Sequence, residues 1–231
     1  MTIDWTQVRT LTFDCYGTII DWETGIANAL ATVFDNHGVE FVRPAALSAF
    51  AKHEHAVEVD GMSYRSVLAA TMTLIGTEFG FEPSGKECAD FGSSVSDWPP
   101  YPDSARALRT LGAKFELVIL SNIDDDLFAL SAAKLKGVEF SHVVTAQQVG
   151  SYKPNPAHFH VGLERIGRPR SEIVHVAQSL FHDHVPAKAM GFTTVWINRQ
   201  GGDGASGATP RATATPDLEL SDLESLARSA T

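Results

Sequence analysis

Asp14 stands in the run Thr12-Phe13-Asp14-Cys15-Tyr16-Gly17-Thr18, directly after a short apolar stretch near the start of the chain. A strand over that stretch delivers the carboxylate to its carboxyl end. An ionised, aimed and shielded aspartate there can attack an electrophilic carbon and form an ester, splitting one hard displacement into two easier steps. Gly17 permits a tight turn, and Thr18 offers a hydroxyl to the carboxylate or to nearby backbone. An isolated strand-end aspartate is more often a turn cap, so the catalytic reading of Asp14 depends on three further places in the chain.

Ser121 and Asn122 follow the apolar run Phe115 to Leu120, where a hydroxyl, an amide and the free N–H groups of a helix start make an anion site or simply an N-cap for a helix over 124–135. Lys153 follows a turn at Gly150-Ser151-Tyr152 and is pinned by Pro154. Near Asp14, its ammonium would hold the carboxylate ionised and balance an arriving anion; alone, it would be a solvated surface lysine. Asp183 lies in Ala177-Gln178-Ser179-Leu180-Phe181-His182-Asp183, after a fourth apolar run.

These four places impose an architecture. Apolar runs end at Asp14, Leu120, near Thr145, at Ala177 and at Ile197, and from Phe115 onward they alternate with helix-like stretches. That is the pattern of an α/β, Rossmann-like parallel sheet with helices on both faces, its strands apolar because both faces are covered. The candidate residues fall where such sheets place their ligand crevice, beyond the carboxyl ends of the strands. Between the first two runs, roughly Trp22 to Trp98, the periodicity is helical: Ile26, Leu30 and Val33 share one face, Val67, Leu68, Met72 and Ile75 another. The spacing predicts a helical cap domain over 22–97, inserted after the first strand into a core domain of 1–21 and 98–231. The turn Trp98-Pro99-Pro100-Tyr101-Pro102-Asp103 bounds it, with Asp103 or Ser104 expected to cap the next helix. A short strand at 217–220 and a last helix begun by Ser221 complete the chain. The glycine-rich run 201–210 has neither P-loop nor dinucleotide spacing and is expected to be a surface loop.

The length of 231 residues and 44% hydrophobic content support a sizeable core. A net charge of -10 and a pI near 5.3 disfavour nucleic acid and anionic membrane as partners and point to a small molecule. Only Cys15 and Cys88 are present, which fits a reducing compartment rather than a disulfide framework. With no signal-like start and no apolar run near the ~20 residues of a membrane span, the chain is expected to be cytoplasmic.

The runs Asp14-Cys15-Tyr16-Gly17-Thr18, Ser121-Asn122, Lys153-Pro154, Asp183 and Val195-Trp196-Ile197-Asn198-Arg199 resemble the haloacid dehalogenase superfamily, and within it the type II 2-haloacid dehalogenases. The resemblance implies a metal-independent hydrolase, with no cofactor, that releases halide from short 2-haloalkanoic acids. In it Asp14 displaces the halide with inversion, and water then attacks the Asp14 ester. Asp183 orients that water, Lys153 stabilises charge, and Thr18 and Ser121 complete the catalytic set. The substrate and halide are expected to meet Cys15, Tyr16, Ser121, Asn122, Gln178 and Ser179, with Ser121 holding the carboxylate and Asn122 the halide. A homodimer is implied as well.

Magnesium-dependent phosphatases of the superfamily carry aspartates where this chain has Tyr16 and Gln178. Because Mg²⁺ prefers hard anionic oxygens, both replacements weaken a metal site. Halide also leaves without a proton, whereas an alkoxide needs one, so a second aspartate is dispensable for dehalogenation alone. A phosphatase remains the alternative reading, and a catalytically silent binding module a third. The chain departs from the dehalogenase pattern in the cap. The stretch Ser48 to His55 lacks the family's halide-binding arginine, leaving Lys52, His53 or His55 as substitutes. Phe159 stands where a tyrosine is usual, and Gln178 and Leu180 where serine and asparagine are, which passes water positioning to Gln178, Ser179 or His182. The pairs His182/His184, His158/His160 and His53/His55 invite a metal reading, and His175 reads as a core strand histidine.

Overall fold

The structure, a computed structural model, describes residues 3–201 and 208–231. Six strands form one parallel sheet in the order β3-β2-β1-β4-β5-β6: β1 Thr10–Phe13, β2 Glu116–Ser121, β3 His142–Thr145, β4 Ile173–Ala177, β5 Thr193–Ile197 and β6 Leu218–Leu220. β1 lies between β2 and β4, in the register Phe13↔Ile119 and Phe13↔Val176. All four of its side chains are buried, as a central strand covered on both faces requires. Asp14 is therefore the first residue beyond the central strand, and its N–H still donates to Val176 O at 3.1 Å.

Helices α1 Trp22–Asn36, α2 Arg43–Val57, α3 Tyr64–Phe79 and α4 Gly85–Ser93 all fall between β1 and β2. Their packing follows the apolar periodicity. Ile26, Leu30 and Val33 of α1 and Val67, Leu68, Met72 and Ile75 of α3 are buried, and Phe34 meets Phe41, Phe79 and Phe81 edge-on at 5.5, 4.9 and 5.1 Å. Asp21 caps α1 through Thr24 N–H at 3.1 Å, and a Ser84/Glu87 capping box starts α4.

The remaining helices are α5 Ser104–Gly112, α6 Asp125–Ala132, α7 Ala146–Val149, α8 Ala157–Ile166, α9 Val185–Ala189 and α10 Leu223–Ala230, with a π-helical turn at Leu180–His184. Helix α6 is shorter than the predicted 124–135, and α10 begins at Leu223 under an Asp222 cap rather than at Ser221. Asp103 occupies the N-cap position of α5 as expected, but its side chain makes no capping bond there. Its carboxylate instead accepts from Leu223 N–H at 2.8 Å and pairs with Arg199 at 2.7 Å. Residues 202–207 of the glycine-rich run lie outside the described residues. Among the described residues no helix is long and apolar enough to cross a membrane.

Candidate active site

Four separate elements bring carboxylates, an ammonium and hydroxyls to the carboxyl end of β1. Lys153 arrives by a turn: α7 ends at Gly150, whose φ of 69° is a left-handed conformation that glycine adopts freely. Asn122 then fixes the backbone of Lys153 at both polar groups, donating to Lys153 O at 3.0 Å and accepting from Lys153 N–H at 2.7 Å. The stem passes through the core, leaving the side chain 1% exposed. At its end Nζ donates to Asp14 Oδ1 at 2.9 Å, Asp183 Oδ1 at 2.7 Å and Leu120 O at 2.8 Å, so each ammonium proton has an acceptor.

The two carboxylates are held differently. Thr18 donates to Asp14 Oδ2 at 2.8 Å, and Thr18 Oγ1 itself accepts from Gln178 N–H at 2.9 Å. Arg199, which ends the Trp196-Ile197-Asn198-Arg199 run, locks the same loop by donating to Thr18 O at 2.7 Å. Asp183 Oδ1 also meets His175 Nε2 at 3.1 Å, while His175 Nδ1 meets Thr12 Oγ1 at 2.9 Å. His175 is thus satisfied in the core, as expected, and it braces Asp183 as well.

Burial raises the pKa of Asp14, with the Lys153 charge pulling it down and the Asp183 charge adding to the rise. Burial pushes Asp183 upward too, but Lys153 and His175 together hold it well below the usual carboxylate range. Lys153, penalised by burial, is carried above the ordinary lysine value by the two aspartates. The result is an ion-paired centre in which one buried ammonium is shared by two buried carboxylates.

A cavity of about 30 Å³, room for about two water molecules, opens above this centre. Asp14, Tyr16, Ser121, Asn122, Lys153, Ser179, His182 and Asp183 line it from the sheet side. Trp22, Glu54, Glu58 and Tyr64 line it from the helical insert, and Thr209 from the segment before β6. Of the predicted site residues, Asp14, Tyr16, Ser121, Asn122, Lys153, Ser179 and Asp183 are brought together. Cys15 is not, because its side chain packs in the core, and Thr18 and Gln178 stand behind the wall. Tyr16 turns its hydroxyl to Ser131 Oγ at 2.9 Å and its ring against Trp98.

Lys52 and His53 pair with Glu78 on the outer side of α2, and His55 packs on Phe181, so none of the three takes the arginine's place in the cavity wall. Phe159 is buried against His175 and Phe192. The histidine pairs do not converge: His182 N–H bonds Ser179 Oγ, whereas His184 Nε2 reaches Ala177 O at 3.0 Å. Burial pushes both down to about 4, so they are neutral.

Among the described residues no three His, Cys, Asp or Glu side chains converge on a point that could hold a metal ion. Asp14 Oδ1 and Asp183 Oδ1 share an ammonium, and Tyr16 and Gln178 supply no carboxylate, so the donor set is poor in the hard anionic oxygens that a divalent cation prefers.

The insert residues Glu54 and Glu58 were not foreseen. A signal was present, since Glu54 continues the buried stripe Leu47 and Phe50 at helical spacing, a place where a carboxylate is conspicuous.

The model of the haloacid dehalogenase-like hydrolases matches residues 8–191. This chain belongs to that family. It is 27% identical to (S)-2-haloacid dehalogenase 4A of Burkholderia cepacia over 84% of this chain and 85% of that one. It is 25% identical to (S)-2-haloacid dehalogenase of Pseudomonas sp. (strain YL) over 95% and 93%. The crystal structure of a defluorinating L-2-haloacid dehalogenase superposes with a TM-score of 0.76 at 24% identity, covering 99% of this chain and 98% of that one. For this family member the fold likeness is thus end to end, helical insert included.

Proposed function

We propose that this hydrolase removes halogen from short 2-haloalkanoic acids, without a metal, through an ester on Asp14. One observation carries the reading: an ammonium, not a metal-binding oxygen set, organises the two carboxylates, beneath a cavity ringed by polar atoms with no protein partner. Ser121 Oγ, His182 Nε2 and Asp183 Oδ2 are buried, lack a hydrogen-bond partner among the described residues, and belong to lining residues. Buried polar atoms of this kind need partners, and a bound carboxylate and a hydrolytic water supply them.

In the first step Asp14 attacks the carbon bearing the halogen from the side opposite the leaving group. The C–X electron pair departs with the halide, and configuration inverts. Ser121 Oγ receives the substrate carboxylate, and Lys153 offsets its charge. In the second step a water on Asp183 Oδ2 attacks the Asp14 ester carbonyl, and the 2-hydroxy acid leaves with one proton released. Neutral His182 adds a second contact to that water. Trp22, Glu54 and Tyr64 bring the helical insert over the cavity, so helices α1 to α4 serve as a lid that shifts outward for entry and closes to exclude bulk water. The dehalogenase names of the full-length relatives support the substrate class.

The test is halide release from both enantiomers of 2-chloropropionate and from fluoroacetate, with and without EDTA, alongside phosphate release from p-nitrophenyl phosphate. Chelator-insensitive halide release that vanishes in Asp14→Asn is the expected result. Chelator-sensitive phosphate release with no halide would instead assign the site to phosphate esters.

A further inference from the structure

The cavity has an excess of acids. Asp14, Asp183, Glu54 and Glu58 line it, and Lys153, already shared by both aspartates, is the sole lysine or arginine among the described lining residues. Arg43, at the start of α2, is exposed and turns to Thr24 Oγ1 at 3.3 Å. An anionic substrate that expels a second anion cannot be accommodated beside four ionised carboxylates.

Glu54 resolves this. It is 3% exposed, its Oε1 accepts from the Tyr64 hydroxyl at 2.7 Å, and its Oε2 has no hydrogen-bond partner. It sits in the last turn of α2 with Glu58 four residues on, where the unsatisfied helix carbonyls already present negative potential. We propose that Glu54, through Oε2, is the group of the insert that receives the departing halide, acting as a neutral carboxyl that donates a hydrogen bond where a cationic side chain would otherwise stand.

Burial pushes Glu54 up to about 7, and burial together with the Glu54 charge pushes Glu58 up to about 9. Other titratable groups face the pair. Tyr64 comes from α3, Tyr152 and Lys153 come from the turn after α7, and Asp124, at the start of α6, reaches the Tyr64 backbone. Asp14, His182 and Asp183 lie across the cavity. Against the rise, the Tyr64 hydrogen bond lowers Glu54 and the Lys153 charge lowers Glu58, and burial outweighs both. The step needs no proton transfer: the C–X pair leaves with the halide, which then accepts Glu54 Oε2–H, and Glu54 keeps its proton. Fluoride, the strongest acceptor of the halides, gains most.

The proposal rests on the dehalogenase reading, and its test does not require turnover. Sodium bromide is titrated into the protein by calorimetry between pH 6 and 9. Wild-type affinity is expected to fall about tenfold per pH unit above about 7, since ionisation removes the donor. Glu54→Gln keeps an N–H at the position of Oε2 and an acceptor for Tyr64, so it should bind bromide independently of pH. Glu54→Ala should lose binding tenfold or more at pH 6, and Glu58→Gln should leave the midpoint near 7. A wild-type affinity flat with pH, or a pH dependence retained in Glu54→Gln, overturns the assignment. A midpoint near 9 abolished by Glu58→Gln moves the role to Glu58 and also overturns it. Halide release from haloacids with pH-independent bromide binding refutes the receiver alone. The expected bromide behaviour without any halide release refutes the reaction and leaves the receiver.

Discussion

Replacing Lys153 with methionine keeps most of the stem and removes the charge, which isolates what the ammonium does. Nζ lies 2.9 Å from Asp14 Oδ1, 2.7 Å from Asp183 Oδ1 and 2.8 Å from Leu120 O. Its loss leaves two buried carboxylates facing each other and removes one donor from Leu120 O. Breaking a buried pair costs about 3–5 kcal/mol. At roughly 2–4 °C per kcal/mol for a chain of this size, the melting temperature at pH 7.5 falls by about 6–20 °C. The pH dependence is the sharper check. In the wild type Asp183 is held below its unfolded value, so its stabilisation is present above about pH 4 and lost as pH falls. In Lys153→Met the facing carboxylates retain a proton, so their pKa rises and stability is lost as pH climbs above about 4. The wild-type advantage should therefore widen from pH 4.5 to 7.5 in thermal melts, with halide release lost at both. Equal melting temperatures at pH 7.5, or a gap that widens towards acid, would refute the shared-ammonium account.

Three further outcomes follow from the geometry. Thr18→Val removes the donor to Asp14 Oδ2 without changing shape; a hydrogen bond to a charged group is worth about 1.5–3 kcal/mol, so halide release should drop roughly 10- to 100-fold, and Thr18→Ser should restore it. Asp124 accepts from Tyr64 N–H at 3.0 Å and Arg65 N–H at 3.1 Å, tying the start of α3 to the core. Asp124→Ala should cost about 1 kcal/mol and speed hydrogen exchange at Tyr64 and Arg65, and unchanged protection there would show that this tie does not hold the lid. Glu54 is raised from 4.5 to about 7, mainly by burial, so its contribution to stability declines as pH rises from about 4.5 through 7. The melting temperature of Glu54→Gln relative to wild type should accordingly increase between pH 5 and 8, and a constant difference would mean that Glu54 is solvated.

The candidate site was legible at four residues because a parallel sheet buried on both faces must be written as apolar runs. Polar residues are admitted where the runs stop. Asp14, Ser121, Lys153 and Asp183 all follow such stops, and so their convergence could be anticipated without coordinates. The helical insert was legible by the same logic of period, with Ile26, Leu30 and Val33 on one face and Val67, Leu68, Met72 and Ile75 on another.

Side-chain partners across long sequence separations were not. Asp103 stands at the start of α5, yet its carboxylate turns to the first N–H groups of α10, at Leu223 and Glu224, because the fold places that helix beside it. Asn122 was read as a halide contact, and its amide is engaged at both ends by the Lys153 backbone. Arg199 was noted as part of a motif, and the structure turns it onto Thr18 O. The sequence by itself determined which groups arrive at the carboxyl edge of the sheet, because alternation and burial are local patterns. Only the tertiary structure decided what faces them, because the packing of α2 over that edge, and with it a buried Glu54 where a cation was expected, depends on contacts that no local pattern encodes.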